Sequence, residues 1–160
     1  MRREYPSAPI VGVGAVIVRN DRVLLIQRGN EPNRGCWSIP GGVLELGETL
    51  AEAAVREVRE ECQLEIELQG VLSTFDMIQR DELGRVRYHY VLIDVGARYV
   101  GGQAIAGSDA LGVRWASATE LDHLDIIPRL VPVLRQALHE AEAGQQTPPE
   151  RDHPSRARRG

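Results

Sequence analysis

Apolar positions change their period several times along this chain, and each change predicts an element. Ile10 to Val18 is an apolar, β-branched run interrupted by Gly12 and Gly14, and Arg22-Val-Leu-Leu-Ile-Gln-Arg28 is another. Asn20-Asp21 between them is turn chemistry, so the two runs read as a hairpin. A polar loop follows from Gly29 to Gly35. From Thr49 to Cys62 the period becomes helical, with Leu50, Ala54, Val55, Val58 and Cys62 on one face and Thr49/Glu52 in the form of a capping box. Val71 to Arg80 and Arg85 to Ala97 return to strand character around the turn Asp81-Glu-Leu-Gly84. Gly101 to Gly112 is a small, polar loop and Val113 to Ala116 a short strand. Pro128 to Ala143 is a closing helix with Pro132 in or near its first turn, where a missing N–H does little harm. Two hairpins interleaved with two long helices predict an α/β (α+β mixed) fold, helices packed against a mixed sheet.

Composition narrows this picture. At 160 residues the chain is one ordinary domain, expected over residues 10–143 between a flexible arm (1–9) and a disordered arginine-containing tail (144–160). All 19 basic residues are arginines, so a catalytic lysine of any kind is excluded. Four arginines and two acids fall beyond residue 143, leaving a body of net charge −6 within a total of −4. An acidic body argues against a nucleic-acid partner. Cys36 and Cys62 are too few for a disulfide framework. No run has the length of a membrane span and the N-terminus lacks a signal-peptide core, so a cytoplasmic protein without membrane contact is expected.

The chemistry concentrates between Glu45 and Glu67, which hold eight of the 23 acids. Glu57, Glu60 and Glu61 are spaced i, i+3, i+4, so their carboxylates leave one side of the helix, about a quarter turn from its apolar stripe. Three like charges there repel one another and call for a cation, and hard divalent ions suit oxygen ligands. Arg56 stands four residues before Glu60 and can orient that carboxylate. Upstream, Trp37-Ser-Ile-Pro-Gly-Gly42 brings in paired glycines, which let a backbone approach a phosphate or a metal closely.

Gly42, Glu48 and Arg56-Glu57-Val58-Arg59-Glu60-Glu61-Cys62-Gln63-Leu64 resemble the box of the Nudix hydrolases, G-x5-E-x7-R-E-U-x-E-E-x-G-U, at every specified position but one. The departure is Gln63, where the pattern has a glycine that serves the turn leaving the helix. The stretch from Val11 to His123 is most similar to small bacterial ADP-ribose pyrophosphatases, through Gly35-Cys-Trp-Ser-Ile-Pro-Gly-Gly42, Tyr88-His-Tyr-Val-Leu-Ile-Asp94 and Ala106-Gly-Ser-Asp-Ala110 leading to Arg114-Trp115. The resemblance implies an α/β/α sandwich and Mg²⁺-dependent hydrolysis of a nucleoside diphosphate linked to another moiety, with Mn²⁺ as an alternative ion. ADP-ribose is the expected substrate, giving AMP and ribose 5-phosphate. A nucleoside triphosphate pyrophosphohydrolase, including one for oxidised nucleotides, is the alternative. A non-catalytic nucleotide sensor is disfavoured because every box glutamate is kept. A homodimer is expected on the same resemblance.

By that resemblance Glu57, Glu60 and Glu61 are metal ligands, the Gly41 carbonyl a further one, and Arg56 the residue that holds the glutamates. Glu48 is expected to support the loop and helix start. Asp109, the sole acid of the 101–112 loop, is the leading general base, with Asp81 and Glu82 in the hairpin turn as competitors. Substrate contacts are expected from Arg28 and Arg34, from the Gly41-Gly42 backbone, and from Phe75, Tyr88 and Tyr90 as stacking surfaces for a base. Trp37, His89 and Trp115 read as packing residues.

Overall fold

The computed structural model describes residues 2–107 and 109–145. Strands β1 (Ile10–Arg19) and β2 (Arg22–Arg28) form the first hairpin, followed by two short strands, β3 (Trp37–Ser38) and β4 (Gly41–Val43). Helix α1 (Leu50–Cys62) comes next, then the long hairpin β5 (Glu65–Arg80) and β6 (Val86–Gly101). Strand β7 (Ala110–Ser117), a 3-10 turn (Glu120–His123) and α2 (Leu130–Gln145) complete the chain.

The sheet runs β3-β2-β1-β6-β5, with β4 added to β1 and β7 to β2. β1 and β6 are parallel and the other pairs antiparallel, which makes the sheet mixed. One edge of β1 serves β6; its other edge pairs Gly12–Gly14 with β4 and Val18–Arg19 with β2. The sheet therefore forks along β1, and the β4 branch leads straight into α1.

Alternation along β1 sorts the two layers of core. Val13, Ala15 and Ile17 pack with Ala53, Ala54, Val58 and Cys62 of α1, whereas Val16 packs with Leu130, Leu134 and Leu138 of α2. Helices thus cover both faces, the expected α/β/α sandwich. Thr49 caps α1 with both bonds of the capping box in place. Pro132 is the third residue of α2 and so lies in its first turn.

Several boundaries differ from the expected ones. β5 begins at Glu65 rather than Val71, because Ile66 and Leu68 alternate with Glu65 and Glu67 and turn inward onto the α1 layer. β6 continues to Gly101 to stay paired with it. β3 and β4, in a stretch to which the sequence assigns no element, are strands too short to show a period. α2 runs through Gln145, past the expected start of the tail, of which residues 146–160 lie outside the described residues. The segment expected as a loose arm is tied to the β5–β6 hairpin: the Tyr5 amide donates to the Arg87 carbonyl at 2.8 Å and its hydroxyl to Asp81 at 3.1 Å.

Candidate active site

The inner wall of the site is the outward side of α1 beyond its apolar stripe. Glu57, Glu60 and Glu61 line a cleft of about 300 Å³ together with Asp109, which stands just before β7 on the opposite rim. Glycines seat the walls. At Gly42, on β4, a Cβ would collide with the Glu57 carboxylate, so this carboxylate lies directly on bare backbone. The Gly41 amide donates to Glu61 Oε2 at 2.8 Å. Gly41 thus reaches the cleft through its N–H, a contact its expected role as a carbonyl ligand did not include.

Arg56 anchors the other side of the cluster. Its guanidinium donates to Glu48 Oε1 at 2.6 Å and Oε2 at 2.9 Å, to Glu57 at 2.7 Å and to the Val43 carbonyl at 3.1 Å. Glu60 is only 3.7 Å from it and its side chain is 60% exposed. The ion pair that the spacing argument expected between Arg56 and Glu60 is present, while Glu48 and Glu57 lie closer to the guanidinium. Glu48, fixed by Arg56 and by the Glu45 amide, is held down to about 2 and so stays ionised as a strut between loop and helix.

Residues 102–107 are fitted onto the C-terminal end of α1. Ile105 N–H donates to the Cys62 carbonyl at 3.1 Å and Gly107 N–H to the Glu61 carbonyl at 2.7 Å. These bonds satisfy carbonyls that a helix end leaves unpaired. A Cβ at Gly107 would strike the Glu60 carbonyl, so only glycine lets the loop lie this close. On the far side Gly29 N–H donates to the Asp109 carbonyl at 3.2 Å. Asp109 is therefore held between α1 and the end of β2. Gln63 takes the left-handed cap conformation, φ 57°, where the family pattern has its glycine, so the helix ends as that pattern requires.

Burial pushes the Glu61 carboxyl up to about 7, with the charges of Glu57 and Asp109 adding to the shift; the Gly41 amide and Arg28 oppose it. A buried carboxyl that resists ionisation beside other carboxylates is chemically ready for a cation. Its donors are all carboxylate oxygens, which fits Mg²⁺ or Mn²⁺ and excludes a soft thiolate site. Among the described residues no three His, Cys, Asp or Glu side chains already converge as a metal cage.

The remaining candidates are spread out. Arg28 lies near enough to Glu61 to act on its charge, and its Nε donates to the Pro32 carbonyl at 3.0 Å. Arg34 is exposed in the loop after β2. Phe75 stands 43% exposed on β5, outside the carboxylate cleft. Tyr88 is hydrogen-bonded to Glu4 at the far end of the hairpin, and Tyr90 pairs with Ile10 and Met77. Asp81 accepts from Leu83 and Arg85 amides and pairs with the Arg85 guanidinium, which is the work of a turn residue. One polar cluster escaped sequence reading: Asp94, 1% exposed, with Ser73 and Arg129. Its signal was an acid among apolar residues on β6.

The NUDIX domain pattern matches residues 8–139. The chain belongs to the Nudix family. Nudix hydrolases use divalent metal ions, in agreement with the donor set of the cleft. An ADP-ribose pyrophosphatase of Methanocaldococcus jannaschii is 39% identical over 102 residues, 64% of this chain and 58% of that protein. A human 8-oxo-dGDP phosphatase is 30% identical over 162 residues, 89% of this chain and 47% of that protein. The chain thus spans about half the length of these curated relatives. A Nudix hydrolase of Nitrosomonas europaea superposes with a TM-score of 0.71 at 26% identity, covering 87% of this chain and 75% of its own. The fold of this Nudix domain is therefore that of solved Nudix hydrolases.

Proposed function

We propose that this Nudix protein is an Mg²⁺-dependent pyrophosphohydrolase that splits ADP-ribose into AMP and ribose 5-phosphate. The observation that carries this reading is the cleft itself: three α1 carboxylates and Asp109 line one cavity of about 300 Å³, and the Glu57 carboxylate lies against the bare backbone of Gly42. Glu57, Glu60 and Glu61 would hold the ion, Arg56, itself held by Glu48, holds Glu57, and the Gly41-Gly42 backbone would admit the diphosphate. A bound divalent ion neutralises the diphosphate and acidifies a water. Asp109 takes the proton from the attacking water as its oxygen bonds to one phosphorus. The bond from that phosphorus to the bridging oxygen breaks, and that oxygen leaves on the second phosphorus, giving two phosphate monoesters, AMP and ribose 5-phosphate. Arg28, near Glu61, pairs with a phosphate oxygen during the reaction. ADP-ribose as substrate rests on likeness to the archaeal pyrophosphatase; a homodimer and a cytoplasmic location belong to the same proposal.

The human relative supports a second reading, an oxidised guanine nucleotide as substrate. Product chromatography separates the two. Purified protein with Mg²⁺ is incubated with ADP-ribose, 8-oxo-dGDP and dGTP in turn. AMP with ribose 5-phosphate, formed faster than any product of the guanine nucleotides, is the expected result. Monophosphate from a guanine nucleotide alone would overturn the proposed substrate while leaving the cleft in place.

A further inference from the structure

β5 is the last strand of the sheet path, and among the described residues its one strand partner is β6. Its outer edge therefore presents unpaired N–H and C=O groups, a template for a further strand. Proteins blunt such edges with bulges and charged side chains. On β5 these defences are uneven. Three of its four register irregularities lie between Glu65 and Ser73, whereas Ser73 to Gln79 pairs with β6 without a break. At the fourth, between Gln79 and Arg80, the extra residue belongs to β6, so the β5 backbone runs on regularly to Arg80. The charges of the first part, Glu65 and Glu67, are taken up by Arg59 and Arg98. Beyond Glu67 the strand carries two charges only, Asp76 and Arg80, both exposed. Neither forms an ion pair among the described residues. The same stretch exposes Val71, Leu72, Phe75 and Ile78, the last by 51%. Apolar residues gathered on an open edge mark an interaction site, where single ones would not.

Alternation places the charges. Thr74 pairs with Ile93, which packs on the α1 layer, so Asp76, Ile78 and Arg80 follow on that same side of the sheet, past the end of the helix cover. A second β5 can add antiparallel about a twofold axis, with like faces together. An axis through Ile78 sets Asp76 opposite Arg80 of the second copy, and Arg80 opposite its Asp76. The two Ile78 side chains then meet on the axis. An axis through Asp76 would set two carboxylates against each other, and one through Met77 would set Asp76 against Ile78. Directly opposed unlike charges stabilise a strand pair and like charges weaken it, so charge selects the register through Ile78. The edge is complementary to itself, which is what a twofold interface requires.

We infer that residues 76–80 of β5 pair antiparallel with the same residues of a second copy, continuing the sheet across a twofold axis at Ile78. This gives a surface to the homodimer proposed above and rests on that part of the proposal. None of the residues involved lines the carboxylate cleft.

Sedimentation velocity over a concentration series tests this on the full chain, with wild type, Asp76→Arg, Arg80→Asp, the double variant carrying both changes, and Ile78→Lys. All three positions are exposed, and circular dichroism verifies that each variant is folded. Wild type is expected to dimerise. Each single charge reversal sets like charges opposite each other twice and is expected to raise the dimer Kd by about tenfold or more. The double variant restores both pairs with their signs exchanged, and its Kd is expected to return to within about threefold of wild type. Ile78→Lys places two ammonium groups on the axis and is expected to leave monomer. A dimeric wild type whose Kd is unmoved by both single reversals overturns the surface and leaves the homodimer standing. Failure of the double variant to recover overturns the register. A monomeric wild type overturns the surface and the homodimer together. If hydrogen exchange finds the β5 amides protected in that monomer, another segment of this chain covers the edge, and the second copy is overturned as its occupant.

Discussion

Replacing Glu61 by Gln separates the cost of the carboxylate cluster from its use. Burial raises the folded carboxyl of Glu61 to about 7, whereas in the unfolded chain it titrates near 4.5. Between those values the unfolded state has released the proton and the folded state keeps it. Folding stability therefore falls as pH rises through the window from about 4.5 to about 7, and is flat above it. Each unit is worth about 1.4 kcal/mol, so the full shift amounts to about 3 kcal/mol, and about 2 kcal/mol is expected because part of the group meets solvent. Gln is neutral throughout and its Oε1 still accepts the Gly41 amide. In EDTA at pH 8, Glu61→Gln is expected to melt higher than wild type, by about 4–8 °C for a domain of this size. At pH 4.5 the two should coincide. Mg²⁺ should raise the melting temperature of wild type and leave the variant almost unmoved, and the variant should lose activity by at least about a hundredfold. Paired calorimetric scans of both proteins across pH 4.5–8, with and without Mg²⁺, provide the assay. The reasoning is refuted if the difference at pH 8 is absent, or if it persists undiminished at pH 4.5.

Other expectations follow from single contacts. Gln63→Gly relieves a left-handed residue at the end of α1 and should stabilise the protein by about 1 kcal/mol in denaturant titrations, with activity unchanged. Gly107→Ala pushes the backbone at Gly107 off the Glu60 carbonyl, and steady-state kinetics should show a lower kcat through displaced Asp109. Asp109→Asn should lower kcat by about 10²–10⁴, and a loss of less than about tenfold would reject it as the base. Arg56→Met removes the cation shared by Glu48 and Glu57 and should cost about 2–3 kcal/mol on denaturation, with Mg²⁺ affinity reduced.

What the chain reveals by itself depends on how far apart the interacting residues are. α1 was legible to the residue, since its cap, stripe and carboxylates are all set by i, i+3 and i+4 neighbours. The mixed sheet was legible as a class, but the parallel pairing of β1 with β6 joins residues about eighty positions apart, such as Ile10 and Tyr90, and leaves no local trace. The first turn of β5 was missed because Glu65 and Glu67 hide the inward alternation of Ile66 and Leu68. At the site, the spacing of Glu57, Glu60 and Glu61 and the Arg56–Glu60 pair were visible, whereas the closer contacts of Arg56 with Glu48 and Glu57 were not, since they depend on where the preceding loop and β4 pass. Asp109 could be named only as the sole acid in its loop; the bonds that bring the loop to α1 run through backbone amides and carry no side-chain signature. Asp94 and Arg129, thirty-five residues apart, meet only in the folded sheet.

The central claim is that the carboxylates of α1, facing Asp109, form the metal-bearing cleft of a Nudix pyrophosphohydrolase. Titration of Mn²⁺ followed by electron paramagnetic resonance tests it most directly, on wild type and on Glu57→Gln, Glu60→Gln and Glu61→Gln. Tight Mn²⁺ binding by wild type, weakened at least about tenfold in each variant and restored toward wild type by none of them, is the expected result. Mn²⁺ bound equally well by wild type and all three variants would contradict the account.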